Sequence, residues 1–201
     1  MIGILGGTFN PLHMGHILLA RGAAEQYGLE KVLLIPANVP PHKTALDLAD
    51  ACRRLELCRI VAERDPLFEA CDIEIKRQGR SYTADTLEEL TALYPDKELA
   101  LIMGGDMFLT LDKWVRWREI LRLAHICPAM RRGFEGDYAG YREMLEREGA
   151  RILPVNVELP ELSSTELRAR LRRGEDVTGL VPDGVAEYIY KNGLYAEDEK
   201  Q

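Results

Sequence analysis

The residues best suited to chemistry lie in a glycine-rich segment near the N-terminus, GGTFNPLHMGH at 6–16. His13 and His16 are three residues apart, so in a first helical turn their imidazoles share one face. Imidazoles there can donate hydrogen bonds to phosphate oxygens, beside a helix N-terminus whose unpaired N–H groups favour anions. The segment therefore predicts a phosphate-binding turn. Its other predicted contributors are Gly6, Gly7, Thr8, Phe9, Asn10 and Gly15.

Two other interpretations of this segment are weaker. The first is a tight turn whose histidines simply lie on the surface. That interpretation suits a lone histidine better than two histidines in a glycine-rich turn. A zinc site would need a third ligand nearby in sequence, and the glutamate of H-E-x-x-H is missing. The cysteines form no C-x-x-C pair, which favours small apolar residues in a reducing compartment over a metal or disulfide framework. No protein-bound metal site is predicted.

A second candidate segment, LSSTELRARLRRG, lies at 162–174. It begins with a capping box, in which Ser163 is followed three residues later by Glu166. The functional interpretation is a second helix N-terminus directed at phosphate, with hydroxyl donors on Ser164 and Thr165. Arg168, one turn further on, would supply a guanidinium fork for phosphate oxygens. The alternative is an arginine-rich surface helix that is simply well capped.

The elements that position these segments alternate between short apolar runs and stretches of helical period. Predicted strands cover 2–5, 31–36, 71–76, 99–103, about 125–130 and 151–157. Predicted helices cover about 15–27, 47–64, 83–94, about 138–148, about 164–173 and about 183–192, with further helix after Asp106. This alternation indicates an α/β fold with a doubly wound parallel sheet covered on both faces. Ligands bind such sheets beyond the carboxyl ends of the strands, where the strand order reverses.

Composition indicates a globular protein of one domain, 1–201, with a C-terminal helical part from about 160. Apolar residues make up 46% and charged residues 29% of the 201 residues. No apolar run approaches the roughly 20 residues that cross a bilayer, and the N-terminus lacks a signal-peptide pattern, so we expect a cytoplasmic protein without membrane contact. The net charge of −7 argues against a nucleic-acid partner but permits anionic small molecules.

Both candidate segments resemble signatures of the nucleotidylyltransferase superfamily with the T/H-x-G-H motif, which is related in fold to class I aminoacyl-tRNA synthetases. GGTFNPLHMGH resembles the first signature, and LSSTELR resembles I-S-S-T-x-x-R with Leu162 in place of isoleucine. The resemblance implies a Rossmann-like fold that binds ATP. It also implies that His13, His16 and Arg168 are catalytic, the histidines contacting the ATP phosphates and stabilising a pentacovalent transition state.

Three segments between the signatures narrow the choice of acceptor. They are the loop ANVPPHK after the second strand, SYTADTLEEL at 81–90 and GGDMFLTLDKWVRW at 104–117, which carries both tryptophans. A tryptophan near a glycine-rich turn can stack on a cationic heteroaromatic ring such as a pyridinium. The alternative for Trp114 and Trp117 is core packing, which we expect for one of the two. SYTADTLEEL is expected to begin a helix with Ser81 and Thr83 at its cap.

The pattern over nearly the whole chain resembles the bacterial nicotinate mononucleotide adenylyltransferases. The resemblance implies that Trp114 stacks on the nicotinate ring, that backbone amides near Thr83 and Val115 hold its carboxylate, and that Lys43 reaches substrate phosphate. It places Gly104 and Asp106 at the nucleotide, with Asp106 near a ribose. ICPAMRRG departs from the usual hydrophobic-Arg-Pro-Gly run, and Arg131 is the nearest equivalent of its arginine.

The implied reaction transfers the adenylyl group of ATP to nicotinate mononucleotide and releases pyrophosphate, with Mg²⁺ carried on the ATP phosphates. Alternatives are a phosphopantetheine adenylyltransferase, an enzyme that prefers the nicotinamide mononucleotide, and a non-catalytic nucleotide-sensing module. The presence of His13, His16 and Arg168 together favours an enzyme. The expected partners are ATP and nicotinate mononucleotide, and the sequence leaves open whether the chain forms a homo-oligomer.

Overall fold

A computed structural model of the protein describes residues 1–40, 48–130 and 135–196. The predicted site residues Lys43 and Arg131 lie outside these ranges. The strands are β1 (Ile2–Gly7), β2 (Lys31–Pro36), β3 (Phe68–Ala70), β4 (Leu99–Met103), β5 (Ala124–Met130) and β6 (Val155–Asn156). The helices are α1 (Met14–Tyr27), α2 (Ala51–Arg64), α3 (Ile73–Arg77), α4 (Thr83–Leu93), α5 (Gly105–Phe108), α6 (Trp117–Leu123), α7 (Glu135–Arg147), α8 (Ser164–Arg172) and α9 (Val185–Lys191).

The strands form one six-stranded parallel sheet in the order β3-β2-β1-β4-β5-β6. The order therefore reverses between β1 and β4, which are neighbours in space although two other strands lie between them in sequence. Residues that follow β1 and β4 meet at this point, where open α/β sheets bind their ligands. The predicted α/β fold with a doubly wound parallel sheet is confirmed.

Each face of the sheet is buried in its own apolar cluster. Alternate residues of each central strand point to opposite faces, because the side-chain period of a strand is two. One face carries Leu5, Val32, Leu34, Ala100, Ile102, Cys127 and Ala129. The other carries Ile2, Ile4, Leu33, Ile35, Leu99, Leu101, Met103, Ala124 and Ile126. Burial on both faces explains why these strands are continuous apolar runs in the sequence.

Local signals set several helix boundaries. Helix α1 ends at Gly28, whose φ of 61° and ψ of 45° are left-handed and whose N–H donates to the Ala24 carbonyl. Helix α2 begins after Asp50, whose carboxylate accepts a hydrogen bond from the Cys52 N–H. The predicted start at 47 was therefore too early, because residues 48–50 precede the helix.

The strand predicted at 71–76 is wrong. The third strand is shorter and lies earlier, at Phe68–Ala70, and Ile73–Arg77 forms a helix. Phe68, 4% exposed, is the apolar residue that secures this strand, and it pairs with Val32 of β2. The period-two spacing of Ile73 and Ile75 misled the prediction, since two apolar residues also fit one short helical turn.

The strand predicted at 151–157 is mostly extended chain. Only Val155–Asn156 forms a strand, with an isolated bridge between Ile126 and Ile152. Across the ranges 1–40, 48–130 and 135–196, no helix is both long and apolar enough to cross a bilayer.

Candidate active site

The turn between β1 and α1 places the two histidines against each other. Their ring centroids are 3.7 Å apart and their planes are inclined by 33°. His13 is the N-cap of α1, and its backbone N–H donates to His16 Nδ1 at 3.2 Å. A hydrogen bond accepted by Nδ1 leaves the hydrogen of a neutral His16 ring on Nε2. The expected common face of the two imidazoles is therefore present, and His16 is oriented to donate from Nε2.

His13 is nearly enclosed by the protein. Its exposed fraction is 7%, and burial lowers the pKa of its imidazole to about 4. The ring is therefore neutral at neutral pH in the free protein. Among the described residues, buried Nδ1 has no hydrogen-bond partner. Gly15 makes room for this edge of the ring, because a Cβ there would lie 3.1 Å from His13 Nδ1.

The other residues of the first turn divide between packing and open space. A Cβ on Gly7 would lie 2.8 Å from the ring of Phe9, so the absence of a side chain at Gly7 makes room for Phe9, and approach of a ligand to this glycine stays a prediction. Phe9 is 1% exposed, and its ring meets the His16 ring edge-on with centroids 5.2 Å apart. Gly6 is exposed, and a Cβ there would meet nothing within 4 Å. Close approach of a ligand to the backbone is therefore open at Gly6.

Asn10 and Thr8 contact the protein in ways that the sequence did not indicate. Asn10 is 4% exposed, and its Oδ1 accepts a hydrogen bond from the Ala49 N–H at 3.0 Å. The Thr8 carbonyl accepts from Arg54 Nη1 at 2.8 Å. Both residues therefore connect the first turn to the chain that leads into α2. These contacts use the Thr8 carbonyl and the Asn10 side-chain oxygen as acceptors, so the prediction that both side chains donate to phosphate stays a prediction.

The second signature segment packs directly on the first turn. Arg168 Nη1 donates to the Asn10 carbonyl at 2.8 Å, and Ser164 Oγ donates to the Pro11 carbonyl at 3.1 Å. Arg168 Nε is buried and has no hydrogen-bond partner among the described residues. The predicted proximity of the two signatures, 153 residues apart at Pro11 and Ser164, is therefore present.

Several donors expected to face phosphate are already occupied within the protein. The Ser164 hydroxyl proton is directed to Pro11, whereas the hydroxyl oxygen of exposed Thr165 accepts from Arg168 Nη2 at 3.4 Å, a contact that does not use the Thr165 proton. At the start of α1, the Met14 N–H donates to the Leu180 carbonyl at 3.0 Å. The Ser163 cap of α8 is as predicted, because its hydroxyl accepts from the Glu166 N–H at 3.1 Å. Some of the hydrogen-bond donors at the N-termini of α1 and α8 therefore have partners within the protein before any ligand binds.

A second group of predicted residues follows β4 on the other side of the strand-order reversal. Gly104 is the N-cap of the short helix α5, and the exposed Asp106 carboxylate turns back over it. A Cβ on Gly104 would lie 2.6 Å from Asp106 Oδ1. Because β4 pairs with β1, this turn lies at the same edge of the sheet as the histidine turn.

The segment that carries Trp114 and Val115 is joined to α4, whose first residue is Thr83, through the neighbouring Arg116. Arg116 connects the two segments, because its Nη1 donates to Asp85 Oδ1 at 3.0 Å and its guanidinium also pairs with Glu88. Val115 is 51% exposed. The contacts of Arg116 therefore join the segment after β4 to α4, and an acceptor site formed by Thr83, Trp114 and Val115 stays a prediction.

Both tryptophans are partly buried against the same apolar cluster. The Trp117 ring also carries the Arg118 guanidinium, whose carbon lies 4.3 Å from the ring centroid. The predicted cap of α4 differs, because the N-cap is Tyr82 without a side-chain cap hydrogen bond. Ser81 instead accepts from the Asn38 N–H at 2.9 Å, and so joins α4 to the loop after β2.

Sequence reasoning missed Arg54 and Arg116. Arg54 is 0% exposed although its residue type is rarely buried. A signal was present, since Arg54, Cys58 and Val61 have the i, i+4, i+7 spacing of a buried helix stripe. Arg116 has a left-handed backbone with φ of 57°, which no sequence pattern indicated.

No group of three or more His, Cys, Asp or Glu side chains is placed to hold a metal ion in the part of the chain that the structure describes. All four cysteines are free.

Comparison with known proteins adds evidence from outside this chain. The family model described as cytidylyltransferase-like matches residues 4–170. A relative named "Probable nicotinate-nucleotide adenylyltransferase" from Desulfitobacterium hafniense (strain Y51) is 40% identical over 198 residues, covering 96% of this chain and 95% of the relative. A relative of the same name from Lachnoclostridium phytofermentans is 38% identical over 196 residues, covering 96% of this chain and 98% of the relative.

Solved structures show the same fold. Plasmodium falciparum nicotinic acid mononucleotide adenylyltransferase in complex with NaAD superposes with a TM-score of 0.76 at 17% identity, over 96% of both chains. The same protein in complex with APC gives a TM-score of 0.74 at 17% identity, again over 96% of both chains.

Proposed function

The chain belongs to the cytidylyltransferase-like family and, within it, to the nicotinate-nucleotide adenylyltransferases, and we propose that it transfers the adenylyl group of ATP to nicotinate mononucleotide. The products are nicotinate adenine dinucleotide and pyrophosphate. The protein is therefore a nucleotidyltransferase of NAD biosynthesis.

One observation about the site carries the assignment of the reacting groups. His13 Nδ1 and Arg168 Nε are both buried and lack partners among the described residues, and both belong to segments that meet at Asn10 and Pro11. A buried polar group without a partner costs about 1–3 kcal/mol. Phosphate oxygens would supply the missing partners, which supports binding of the ATP phosphates at this junction.

The reaction needs charge stabilisation more than proton transfer. The acceptor is a phosphate monoester whose second pKa of about 6 leaves it largely dianionic at neutral pH, so it attacks without a general base. Its oxygen forms a bond to the α-phosphorus of ATP, and the bond from that phosphorus to the bridging oxygen of the β-phosphate breaks. The role that we assign to His13, His16 and Arg168 is donation of hydrogen bonds to the oxygens on which negative charge develops.

His16 is the donor that we expect to act most in the transition state. Its Nδ1 is held by the His13 N–H, which orients Nε2 before substrate arrives. His13 enters the reaction neutral, since the pKa of its buried imidazole is about 4. Positive charge in the described part of this site then comes from Arg168, and we propose that Lys43 and Arg131 add to it.

Nucleotidyl transfer from ATP generally uses Mg²⁺, and we propose that the ion is held by the ATP phosphates and water. Mg²⁺ commonly keeps several waters and binds through substrate phosphates. When bound, it supplies charge neutralisation to the β- and γ-phosphates. Asp106 is the exposed carboxylate nearest to the Gly104 turn, and its assigned role is contact with the nucleotide ribose region.

On the acceptor side, we propose that Trp114 stacks on the nicotinate ring while backbone amides near Thr83 and Val115 hold its carboxylate. The Arg116 pairs with Asp85 and Glu88 support this arrangement, because they hold the tryptophan segment beside the start of α4. We also propose that the chain works as a single domain, without nucleic acid, in the cytoplasm. Its four free cysteines suit a reducing compartment.

A pyrophosphate-release assay on the purified chain tests the function. ATP and Mg²⁺ are supplied with nicotinate mononucleotide, its amide or phosphopantetheine in parallel reactions. We expect the highest kcat/KM with nicotinate mononucleotide. Faster turnover of phosphopantetheine, or nucleotide binding without turnover of any acceptor, would overturn the proposal.

A further inference from the structure

Arg54 of α2 contacts three separate segments at the carboxyl edge of the sheet. Its side chain is entirely buried, with 0% exposure. Nη1 donates to the Thr8 carbonyl at 2.8 Å, Nη2 donates to the Asn38 carbonyl at 3.1 Å, and Nε donates to the Ala49 carbonyl at 2.8 Å. One guanidinium therefore joins the turn after β1, the loop after β2 and the entry to α2.

The first two of these segments serve different substrates in the proposed reaction. Thr8 lies in the turn that leads to the histidines, whereas Asn38 begins the loop that leads to Lys43. Asn38 is held on its other side as well, because its N–H donates to Ser81 Oγ at 2.9 Å, two residues before Thr83. Arg54 is thus a side-chain connection between the ATP turn and the acceptor side of the site, in addition to the backbone hydrogen bond from the Ala37 N–H to the Gly7 carbonyl at 2.8 Å.

Packing alone does not account for an arginine at this position. Burial of a guanidinium is costly, and it lowers the pKa of Arg54 from its ordinary value. No carboxylate of the described residues forms an ion pair with it, so neutral carbonyl oxygens are its partners. Neighbouring buried positions of α2 hold Leu55, Leu57 and Cys58, and an apolar residue would fill the space at lower cost. Arginine differs from other side chains at this position because its forked guanidinium donates to three carbonyls at once.

We propose that Arg54 is a positioning residue that sets the separation of the ATP turn and the acceptor loop, and thereby serves both substrates at once. The inference rests on the proposed function. Its physical basis is that in-line attack depends on the relative placement of the two substrates, and a displacement of about 1 Å can cost about 10²-fold in rate.

The test compares three purified full-length variants with the wild type. Arg54→Met removes the fork and the charge, while Arg54→Lys keeps the charge on a single nitrogen that cannot span three carbonyls. Arg53→Met is the matched control, since it removes the same charge one residue away. Arg53 is exposed, and its Nη1 donates to Tyr188 Oη at 3.2 Å and Asn192 Oδ1 at 2.8 Å. Those partners are in or just after α9, away from both substrate loops.

Steady-state kinetics with ATP and nicotinate mononucleotide, each varied at several concentrations of the other, gives KM for both substrates and kcat. We expect Arg54→Met to lower kcat by about 10²-fold because the two substrates are no longer aligned for in-line attack, with Arg54→Lys intermediate and Arg53→Met within about twofold of the wild type. The folded fraction of each variant is measured by circular dichroism and kcat is expressed per folded protein, so a role confined to stability would leave this kcat unchanged.

A kcat per folded protein within about twofold of the wild type, or a change confined to the KM of one substrate, would overturn the inference. If circular dichroism shows that Arg54→Met does not fold, the same kinetic criteria are applied to Arg54→Lys. Failure of the wild type to turn over nicotinate mononucleotide concerns the proposed function instead. The two failures are therefore distinguishable.

Discussion

The buried, neutral state of His13 predicts a loss of stability in mild acid. The pKa of this imidazole is about 4 in the folded protein and about 6.5 when exposed. Between pH 4 and pH 6.5 the unfolded chain binds a proton at His13 that the folded chain does not bind. The contribution of neutral His13 to the unfolding free energy is therefore fully present above pH 6.5 and is lost as the pH falls toward 4. The difference of about 2.5 between the two pKa values corresponds to a total change of about 3 kcal/mol in the unfolding free energy. About 2 kcal/mol of this is lost by pH 5.

The assay is urea unfolding of the wild type and of His13→Asn at pH 7.5 and at pH 5. The variant does not titrate at this position, so the wild type should lose about 2 kcal/mol more unfolding free energy than the variant between pH 7.5 and pH 5. Other groups contribute equally to both proteins. Among them is Glu74, whose pKa is raised by burial and whose contribution therefore has the opposite sign.

Comparing the two proteins over the same pH change isolates the contribution of His13 to the unfolding free energy. Equal loss of stability in both proteins would refute the reasoning. So would an NMR titration in which the His13 ring protons respond near pH 6.5, because that would show the imidazole in contact with water in the folded state.

Three further substitutions test the assigned roles by steady-state kinetics. His16→Ala should lower kcat by about 10²–10³-fold with little effect on ATP binding, since its contact strengthens in the transition state. Trp114→Ala should chiefly raise KM for nicotinate mononucleotide and spare KM for ATP. Arg116→Gln should also raise KM for nicotinate mononucleotide, while thermal unfolding shows a stability loss of about 1 kcal/mol or less, because its pairs with Asp85 and Glu88 are exposed.

Each of these outcomes has a clear opposite. Near-normal kcat in His16→Ala would remove that residue from the catalytic groups. Equal damage to both substrates in Trp114→Ala, together with lower stability, would indicate core packing instead of ring stacking. An unchanged KM for the acceptor in Arg116→Gln would separate the tryptophan segment from the acceptor site.

Much of the fold was predictable because it depends on local periodicity. Continuous apolar runs such as 31–36 and 99–103 identified buried parallel strands, and a strand sequence carries that information within a few residues. The strand at 71–76 was wrong for the same reason, since a short run with two apolar residues fits either a strand or a helical turn. The two signature segments were equally local, and they indicated the enzyme family correctly.

The sequence by itself determined which residue types are available: two histidines in a glycine-rich turn, and a capped helix carrying Arg168. Only the tertiary structure decided what each one contacts. The hydroxyl of Ser164 is occupied by Pro11, Gly7 accommodates Phe9, and the charge of His13 is removed by burial. Arg54 reaches carbonyls from segments as much as 46 residues away in sequence. Hydrogen-bond partners and desolvation depend on distances in space, and a linear pattern contains neither.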